Sequence, residues 1–312
     1  MLTLSFLSTS SLSSQGGQNI TGPLPVEIAY FPYLRFVSLP FNRFTGSIPT
    51  QWASIKQLIN LEVHNNSLNG TISDDFWSLS NLETLNVGNN ILTGTLSTKL
   101  GLLTNLKGLH AFNNHLTGNI PSEIGNLKFL VLSYLYGNQF NGSIPSEIGK
   151  LEQLQQLQLS SNSFTGKIPS SIGTMLSLSD LGLSHNTLTG TIPEELYSLS
   201  LLSSLDLKDT WIEGPISTKI GQFTNLIALF LRNTKLSGTI PTELGLLKSL
   251  QLAWLHLTEL SGLMPLEVCM NTGVGLLHFL QTDCNPESAP SVDCICCTAC
   301  CDRVTKICLD LD

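Results

Sequence analysis

The chain has 312 residues with a formal net charge of −8, and only 12% of its residues are charged, about half the share found in ordinary domains. No block of Lys or Arg is present, which argues against nucleic-acid binding because phosphates need a basic protein face. No run of about 18 apolar residues occurs either, so the sequence predicts no membrane span.

Residues 1–17 are rich in Ser and contain one short apolar run, MLTLSFL. A secretory signal peptide combines a basic segment with about 7–15 apolar residues, and this segment contains neither Lys nor Arg. A signal peptide, a disordered arm and a start that misses upstream sequence all stay open. We expect residues 1–17 to be a disordered or incomplete segment.

From residue 18 to about residue 283 the chain follows one template with a period of 24 residues and no insertion or deletion. The template reads L-x-x-L-x-L-x-x-N-x-L-x-G-x-I and is clearest over residues 178–192, with a proline next. A fixed period in this range predicts about eleven repeats stacked as a solenoid, in which each repeat contacts only its neighbours. The template glycine recurs at Gly22, Gly46, Gly70, Gly94, Gly118, Gly142, Gly166, Gly190, Gly214, Gly238 and Gly262.

The template positions have predicted structural roles. The leucines five and three residues before the Asn position alternate inward on a short strand. The Asn turns inward, where its amide bonds backbone groups of the turn. Threonine replaces this Asn at Thr210, Thr234, Thr258 and Thr282. In the first, half-present repeat the leucine positions fall on Ser13 and Gln15, so we expect an N-terminal cap to be missing.

Side chains four and two residues before each Asn position are predicted to point outward and to form two clusters. The first is an aromatic block of His110, Phe112, Tyr134 and Tyr136. The second places a column of Phe230, Trp254 and His278 beside a column of Lys208, Arg232 and His256. Exposed aromatics with nearby charge are typical of binding hot spots. Aromatics also favour sheet surfaces and pair across strands without binding a ligand, so both interpretations stay open.

The sequence contains no catalytic motif: a nucleophile elbow, an H-E-x-x-H pair and a phosphate-binding loop are all absent. Ser184 and His185 are adjacent, but neighbours on a strand point to opposite faces and cannot act as nucleophile and base. We therefore predict a protein that is not an enzyme and that holds no cofactor or metal.

The run N-x-L-x-G-x-I-P-x-x-L/I-G-x-L, which extends over about residues 18–283, resembles the plant-type leucine-rich repeat family. That family includes receptor-kinase ectodomains, receptor-like proteins and polygalacturonase inhibitors. The resemblance implies an α/β solenoid, a curved right-handed superhelix with a parallel sheet on its concave face and short helical or 3-10 turns on its convex face. It further implies a secreted or cell-surface protein that binds a peptide, glycan or protein on the concave sheet, with a co-receptor as a possible partner. The paired-cysteine N-terminal cap of the family is absent from this chain.

All eight cysteines lie in the last 44 residues: Cys269, Cys284, Cys294, Cys296, Cys297, Cys300, Cys301 and Cys308. Their C-x-C-C-x-x-C-C run is denser than the family's usual cap and resembles the tails of algal secreted repeat proteins. The tail, residues 284–312, is either a disulfide-bonded cap or a thiolate metal cluster. We expect disulfides, because repeats of this family are extracellular, and a Cys269–Cys284 bond around the last repeat. Glycosylation sequons are predicted at Asn19, Asn69 and Asn141.

Two functional hypotheses follow. The first is a non-catalytic extracellular recognition module that binds its partner on the concave sheet. The alternative is a structural, adhesion or surface-binding protein, in which rows of Thr and Ser contact an ordered surface such as cell wall or ice.

Overall fold

The computed structural model describes residues 10–13, 17–273, 276–284, 291–302, 305 and 308–310. The chain divides into two compact units, Met1–Ser163 and Phe164–Asp312, and each is a stack of repeats. Most of the predicted N-terminal segment, residues 1–9 and 14–16, lies outside the described part of the chain.

Each repeat contributes one short strand to a main sheet in which successive strands are parallel. In the first unit the strands are Ser11–Ser13, Phe36–Ser38, Asn60–Glu62, Thr84–Asn86, Gly108–His110, Leu132–Tyr134 and Gln156–Gln158. In the second unit they are Asp180–Gly182, Ser204–Asp206, Ala228–Phe230, Leu252–Trp254, Phe279–Asp283 and Ala299–Cys301. The strand Cys308–Asp310 closes this sheet with an antiparallel pairing to Ala299–Cys301. The predicted solenoid with stacked parallel strands is confirmed.

A second strand follows the Asn position of most repeats. In the first unit these strands are Thr21–Pro23, Arg43–Gly46, Ser67–Leu68, Thr93–Thr95, His115–Gly118 and Gln139–Ser143. The strand Ser163–Gly166 begins where the first unit ends, and the second unit continues with Thr187–Gly190, Trp211–Gly214, Lys235–Thr239, Glu259–Leu263 and Val292–Asp293.

Short 3-10 turns return the chain to the main sheet, as the sequence predicted. They are Val26–Tyr30, Thr50–Ser54, Asp74–Ser78, Thr98–Leu102, Ser122–Asn126 and Ser146–Lys150 in the first unit. The second unit has Ser170–Thr174, Glu194–Ser198, Thr218–Gln222, Thr242–Leu246 and the α-helix Leu266–Gly273. Most turns follow a proline, whose ring fixes φ close to the value that the turn needs. Where Ser97 replaces the proline, its hydroxyl instead accepts the Lys99 backbone N–H at 3.3 Å.

The template leucines form the core between the two rows of strands and the turns. In the repeat of residues 178–193, Leu178, Leu181, Leu183 and Leu188 are fully buried. Burial of one such side chain stabilises the fold by about 1.5–3 kcal/mol. Because the same positions recur once in each copy of the template, every repeat adds a matching layer to the core.

The inward Asn row holds neighbouring repeats in register. Asn114 is 4% exposed, and its Nδ2 donates to the carbonyls of Val87, Ala111 and Phe112 at 3.0–3.2 Å. Its Oδ1 accepts the Leu92 N–H of the preceding repeat at 2.9 Å. One side chain therefore satisfies backbone groups of two repeats that are buried and would otherwise lack partners.

Threonine does less at the same position, as its single donor requires. Thr234 Oγ1 donates to the Leu231 carbonyl at 2.8 Å, and Thr258 Oγ1 donates to the Leu255 carbonyl at 2.8 Å. In the last repeats a carboxylate supplies the acceptor instead. Asp283 Oδ1 and Oδ2 accept the N–H groups of Leu257 and Thr258 at 2.8 and 2.9 Å.

The first strand is shifted by one residue from its predicted place. Ser11 pairs with Phe36, and Phe36 in turn pairs with Asn60. The number of residues from Ser11 to Phe36 is larger than the template period, whereas the number from Phe36 to Asn60 equals it. Leu12 therefore occupies the inward position opposite Val37, and it is 2% exposed. The prediction that Ser13 occupies a leucine position is wrong, because one extra residue separates the main-sheet strands Ser11–Ser13 and Phe36–Ser38. Gln15, the other predicted position, lies outside the described residues.

The last repeat is longer than the template, and this corrects the predicted place of His278. The template period places His278 opposite Trp254. In the structure Trp254 pairs instead with Gln281, which lies further along the chain. The reason is that an eight-residue α-helix replaces the usual five-residue 3-10 turn. His278 precedes the strand and does not stand in one column with Phe230 and Trp254. By the same shift Thr282 lies within the strand, fully buried, instead of at the Asn position.

All eight cysteines form disulfides, which confirms the expected disulfide-bonded tail. The pairs are Cys269–Cys296, Cys284–Cys300, Cys294–Cys297 and Cys301–Cys308. The expected Cys269–Cys284 bond is therefore wrong. The reason is that the tail folds back along the last repeat, where the strand Ala299–Cys301 pairs with Phe279–Asp283. The sheet thus continues beyond residue 283, where we expected the repeats to end.

The tail also buries His256, which was predicted to face outward. His256 is only 4% exposed, and one of its ring nitrogens lies within 4.8 Å of the Sγ atoms of Cys301 and Cys308. Burial, followed by the charge of Arg232, lowers the pKa of His256 to about 4, against an opposing effect of Asp209. Among the described residues, no helix has the length and apolarity to cross a membrane.

The Asn row yields a first prediction. Replacing Asn114 with Ala leaves several buried backbone groups without partners, so the free energy of unfolding should fall by about 2–4 kcal/mol. Urea denaturation followed by circular dichroism measures the change. Asn105→Ala is the control, because Asn105 is exposed and makes one bond, to the Ser80 carbonyl at 2.8 Å. Equal losses in the two variants would contradict the assigned role.

The buried His256 yields a second prediction. Between pH 6.5 and about 4, His256 is protonated in the unfolded state but stays neutral in the folded state. The free energy of unfolding therefore falls as the pH falls through this window. His256→Gln should remove part of this dependence, on the order of 2 kcal/mol. Melting temperatures of parent and variant at pH 7 and pH 4.5 measure it. An unchanged pH dependence in the variant would show that His256 is not the responsible group.

Candidate functional site

The outer face of the main sheet in the second unit carries a charged aromatic cluster, defined by Asp206, Lys208, Phe230, Arg232 and Trp254. These residues lie on or directly after three adjacent strands, with Asp206 paired to Phe230 and Phe230 paired to Trp254. All five are partly exposed. Of the six residues predicted for this cluster, Lys208, Phe230, Arg232 and Trp254 lie together on the outer face. His256 lies beside Arg232 but is buried, and His278 is displaced from the column.

An aromatic contact forms the centre of the charged aromatic cluster. The rings of Phe230 and Trp254 meet edge to face, with centroids 4.7 Å apart, an arrangement that aromatic pairs favour. The Lys208 Nζ lies 5.6 Å from the Phe230 ring centroid, in cation-π range. Lys208 Nζ also pairs with Asp206 Oδ2 at 2.5 Å, so the ammonium is held beside the ring.

A second charged group borders this centre. Asp209 Oδ1 lies 3.7 Å from Arg232 Nη2 and accepts from Asn233 Nδ2 at 2.7 Å, while Asp209 Oδ2 lies 3.3 Å from His185 Nδ1. In the described structure, Arg232 Nε is buried and has no hydrogen-bond acceptor. An unsatisfied buried donor of this kind is uncommon. The side chain as a whole is 38% exposed, so the rest of the guanidinium faces solvent.

Sequence analysis did not find the part played by Asp209. It lies one residue before the Asn position and after the end of the strand Ser204–Asp206. The inward and outward alternation of a strand therefore does not predict which way its side chain points. Its backbone has φ 55°, the left-handed region in which Asp and Asn are enriched. The recurring Asn or Asp at this position was the available signal. Beside Asp209, a groove of about 410 Å³ runs past Trp211, Lys235 and Glu259.

The first unit carries a separate aromatic platform, defined by His110, Phe112, Tyr134 and Tyr136. All four residues predicted for this block are brought together. The rings of His110 and Tyr134 have centroids 4.8 Å apart, and those of Phe112 and Tyr136 are stacked at 5.0 Å with an interplanar angle of 16°. The Tyr134 hydroxyl donates to Gln156 Oε1.

Histidines of this first-unit face are held neutral by their surroundings. Burial, then the charge of His64, lowers the pKa of His110 to about 4. Burial also lowers the pKa of His64, against a smaller opposing effect of Glu62. Burial raises the pKa of Tyr136. All three side chains are therefore uncharged near neutral pH.

The sequon asparagines Asn19, Asn69 and Asn141 are exposed, as glycosylation requires. One group of metal-ligating residue types occurs in the described part of the chain, His256 with Cys301 and Cys308. Its two sulfur atoms form a disulfide, so neither is a thiolate, the form in which cysteine binds a metal.

Comparison with known proteins agrees with this architecture. The leucine-rich repeat family model matches residues 105–127, 153–175 and 177–199. No curated protein sequence matches the chain significantly. Similarity to solved structures is extensive, at 27–28% identity for several of them.

Three solved structures illustrate this similarity. The ectodomain of the receptor kinase GASSHO1/SCHENGEN3 from Arabidopsis thaliana, in complex with CASPARIAN STRIP INTEGRITY FACTOR 2, is 28% identical; the alignment covers 88% of this chain and 34% of that one, with a TM-score of 0.69. The plant peptide hormone receptor RGFR1, in complex with RGF2, is 28% identical over 88% of this chain and 55% of that one, with a TM-score of 0.53. A plant ice-binding protein is 27% identical over 73% of each chain, with a TM-score of 0.65.

The chain spans between about a third and just over half of the two receptor structures. The matched repeats, the stacked parallel strands and these neighbours together show that the chain has the fold of a leucine-rich repeat solenoid. Its repeats are like those of plant receptor-kinase ectodomains, and its cysteine-rich C-terminus is disulfide-bonded.

Proposed function

We propose that this protein is a non-catalytic extracellular recognition module, which binds a peptide or an extended protein segment on the outer face of the main sheet. The charged aromatic cluster is the anchor of this interface. The observation that carries the proposal is the contact of Phe230 with Trp254 beside Lys208 and Arg232. Tryptophan and arginine are the residue types in which binding energy is concentrated at protein interfaces.

The chemistry of the cluster favours a ligand with mixed character. The edge-to-face rings offer an apolar surface, whereas Lys208 and Arg232 offer donors to a carboxylate and Asp206 offers an acceptor to a cationic group. The Arg232 side chain is 38% exposed, so its outer guanidinium N–H groups can donate to an acceptor on the ligand. A peptide provides such apolar and charged groups together.

The compartment and the relatives support the same proposal. Four disulfides are typical of secreted and cell-surface proteins. Two of the similar structures are plant receptors, each solved in a complex, and one of these is a peptide hormone receptor. A co-receptor is a further candidate partner on this reasoning, and the exposed sequons are candidate glycosylation sites.

The test compares Phe230→Ala and Trp254→Ala with the parent chain on an array of synthetic peptides that combine aromatic, acidic and basic residues. Each substitution should weaken binding by roughly 30-fold, because hot-spot truncation costs about 2 kcal/mol. Phe129→Ala is the control, since Phe129 is 48% exposed and lies outside the cluster. Unchanged binding by both cluster variants, with intact folding, would refute the proposal.

A second candidate function, binding to an ordered surface, is favoured by a threonine row on the second strands of the first unit. Thr93 and Thr95 pair with His115 and Thr117, and a bridge joins Thr71 to Thr93. Thr71, Thr93 and Thr95 are exposed. Such a row repeats hydroxyl and methyl groups at the strand spacing of about 4.8 Å, and a plant ice-binding protein is among the similar structures.

The surface-binding candidate has its own test. Double substitution of Thr93 and Thr95 by Lys would break the regular row and should abolish adsorption to ice or to insoluble cell-wall material in a pull-down. Trp254→Ala should leave that adsorption unchanged. The opposite pattern, or no adsorption by the parent chain, would remove this candidate.

A further inference from the structure

The aromatic platform of the first unit is open on the side of the preceding repeat. There, Gly88 occupies the outward position, and a Cβ on Gly88 would lie 2.5 Å from Cε1 of the Phe112 ring. The Phe112 ring therefore lies close over the Gly88 backbone, and no side chain rises beside it from that position. Phe112 and Tyr136 thus form two nearly parallel rings, 16° apart in plane, next to the second ring pair of His110 and Tyr134.

A row of amides runs along one edge of the platform. Asn89 Nδ2 donates to Asn65 Oδ1 at 3.0 Å, and Asn113 Nδ2 donates to Asn89 Oδ1 at 2.8 Å. An asparagine amide has two N–H donors and two acceptor lone pairs. One or two bonds within the row therefore leave each amide able to donate to, and accept from, a bound ligand.

The platform carries no ionised group of its own near neutral pH. His110 and the neighbouring His64 are neutral because their pKa values are lowered by burial. Glu62, which lies two strands away from His110 in the same sheet, accepts a hydrogen bond from the Ser38 hydroxyl at 3.0 Å. Within residues 17–273, which the structure describes without a gap, the platform and the amide row beside it present aromatic rings and neutral amides to a ligand. The charged aromatic cluster, in contrast, presents ionised groups.

We propose that the aromatic platform is a binding site for a neutral polysaccharide made of unsubstituted pyranose rings. The C–H groups on one face of a pyranose carry partial positive charge and pack on the negative faces of aromatic rings. Hydroxyls at the edge of the sugar both donate and accept, which matches amides better than charged groups. A peptide or an acidic polymer would bring charges that find no counterpart on this surface.

The site is independent of the ligand proposed for the second unit. It uses different residues on a different unit, so it stands whether or not Phe230 and Trp254 bind a peptide. Soluble neutral oligosaccharides, namely β-glucan and xylan fragments, are the probes, and oligogalacturonate is the acidic comparison. Isothermal titration calorimetry gives the affinity, and quenching of tyrosine fluorescence provides a second readout.

The parent chain should bind at least one neutral oligosaccharide, and Phe112→Ala or Tyr136→Ala should weaken that binding at least tenfold. Tyr136→Phe keeps the ring and should retain most of the affinity. Gly88→Val should also weaken binding, because its side chain would displace the Phe112 ring without removing any aromatic residue. Tyr33→Ala is the control, since Tyr33 is 77% exposed and lies outside the platform.

The pH dependence of oligosaccharide binding supplies a further readout. Binding should be constant between about pH 5.5 and 8, because His110 stays neutral until the pH approaches about 4. Preference for oligogalacturonate, equal binding by the parent chain and the Phe112→Ala variant, or no binding of any neutral probe by the folded parent chain would each overturn the proposal. Binding of a charged peptide at these rings instead would mean that the platform belongs to a protein interface.

Discussion

The structure depends on one constraint: the backbone of every turn must find hydrogen-bond partners inside a stack that excludes water. A buried amide such as that of Asn114 meets this need by bonding carbonyls of its own turn and of the preceding repeat. The same contact recurs from one Asn-bearing repeat to the next, so it fixes how each repeat sits on its neighbour. Outer side chains are consequently aligned in columns, and this alignment is what creates the charged aromatic cluster and the aromatic platform within their units.

The sequence was sufficient to predict the repeat period, the inward leucines, the 3-10 turns and both aromatic groups, because all of them follow from strict periodicity. It failed where the period changes. His278 was misplaced because the helix Leu266–Gly273 adds residues before the strand Phe279–Asp283. The cysteine pairing could not be predicted either, since it depends on how the tail folds back, and the burial of His256 depends on the same fold.

The two outer-face sites differ in charge, and their surroundings explain why. In the second unit, Asp206 and Asp209 keep Lys208 and Arg232 paired yet partly exposed, so the face remains charged. In the first unit, burial keeps histidines neutral, and asparagines take the place that Asp209 occupies. One repeat template thus presents two outer faces of different chemistry, because only the outward positions change while the core and the Asn row stay the same.

The alignment of outer side chains is tested most directly by a double-mutant cycle of unfolding free energies for Phe230→Ala and Trp254→Ala, with Trp254→Ala and His278→Ala as the comparison. The structure predicts a coupling of about 1 kcal/mol for the first pair, whose rings are 4.7 Å apart. It predicts coupling within about 0.3 kcal/mol of zero for the second pair. Strong coupling between Trp254 and His278, or none between Phe230 and Trp254, would contradict the register on which the whole account rests.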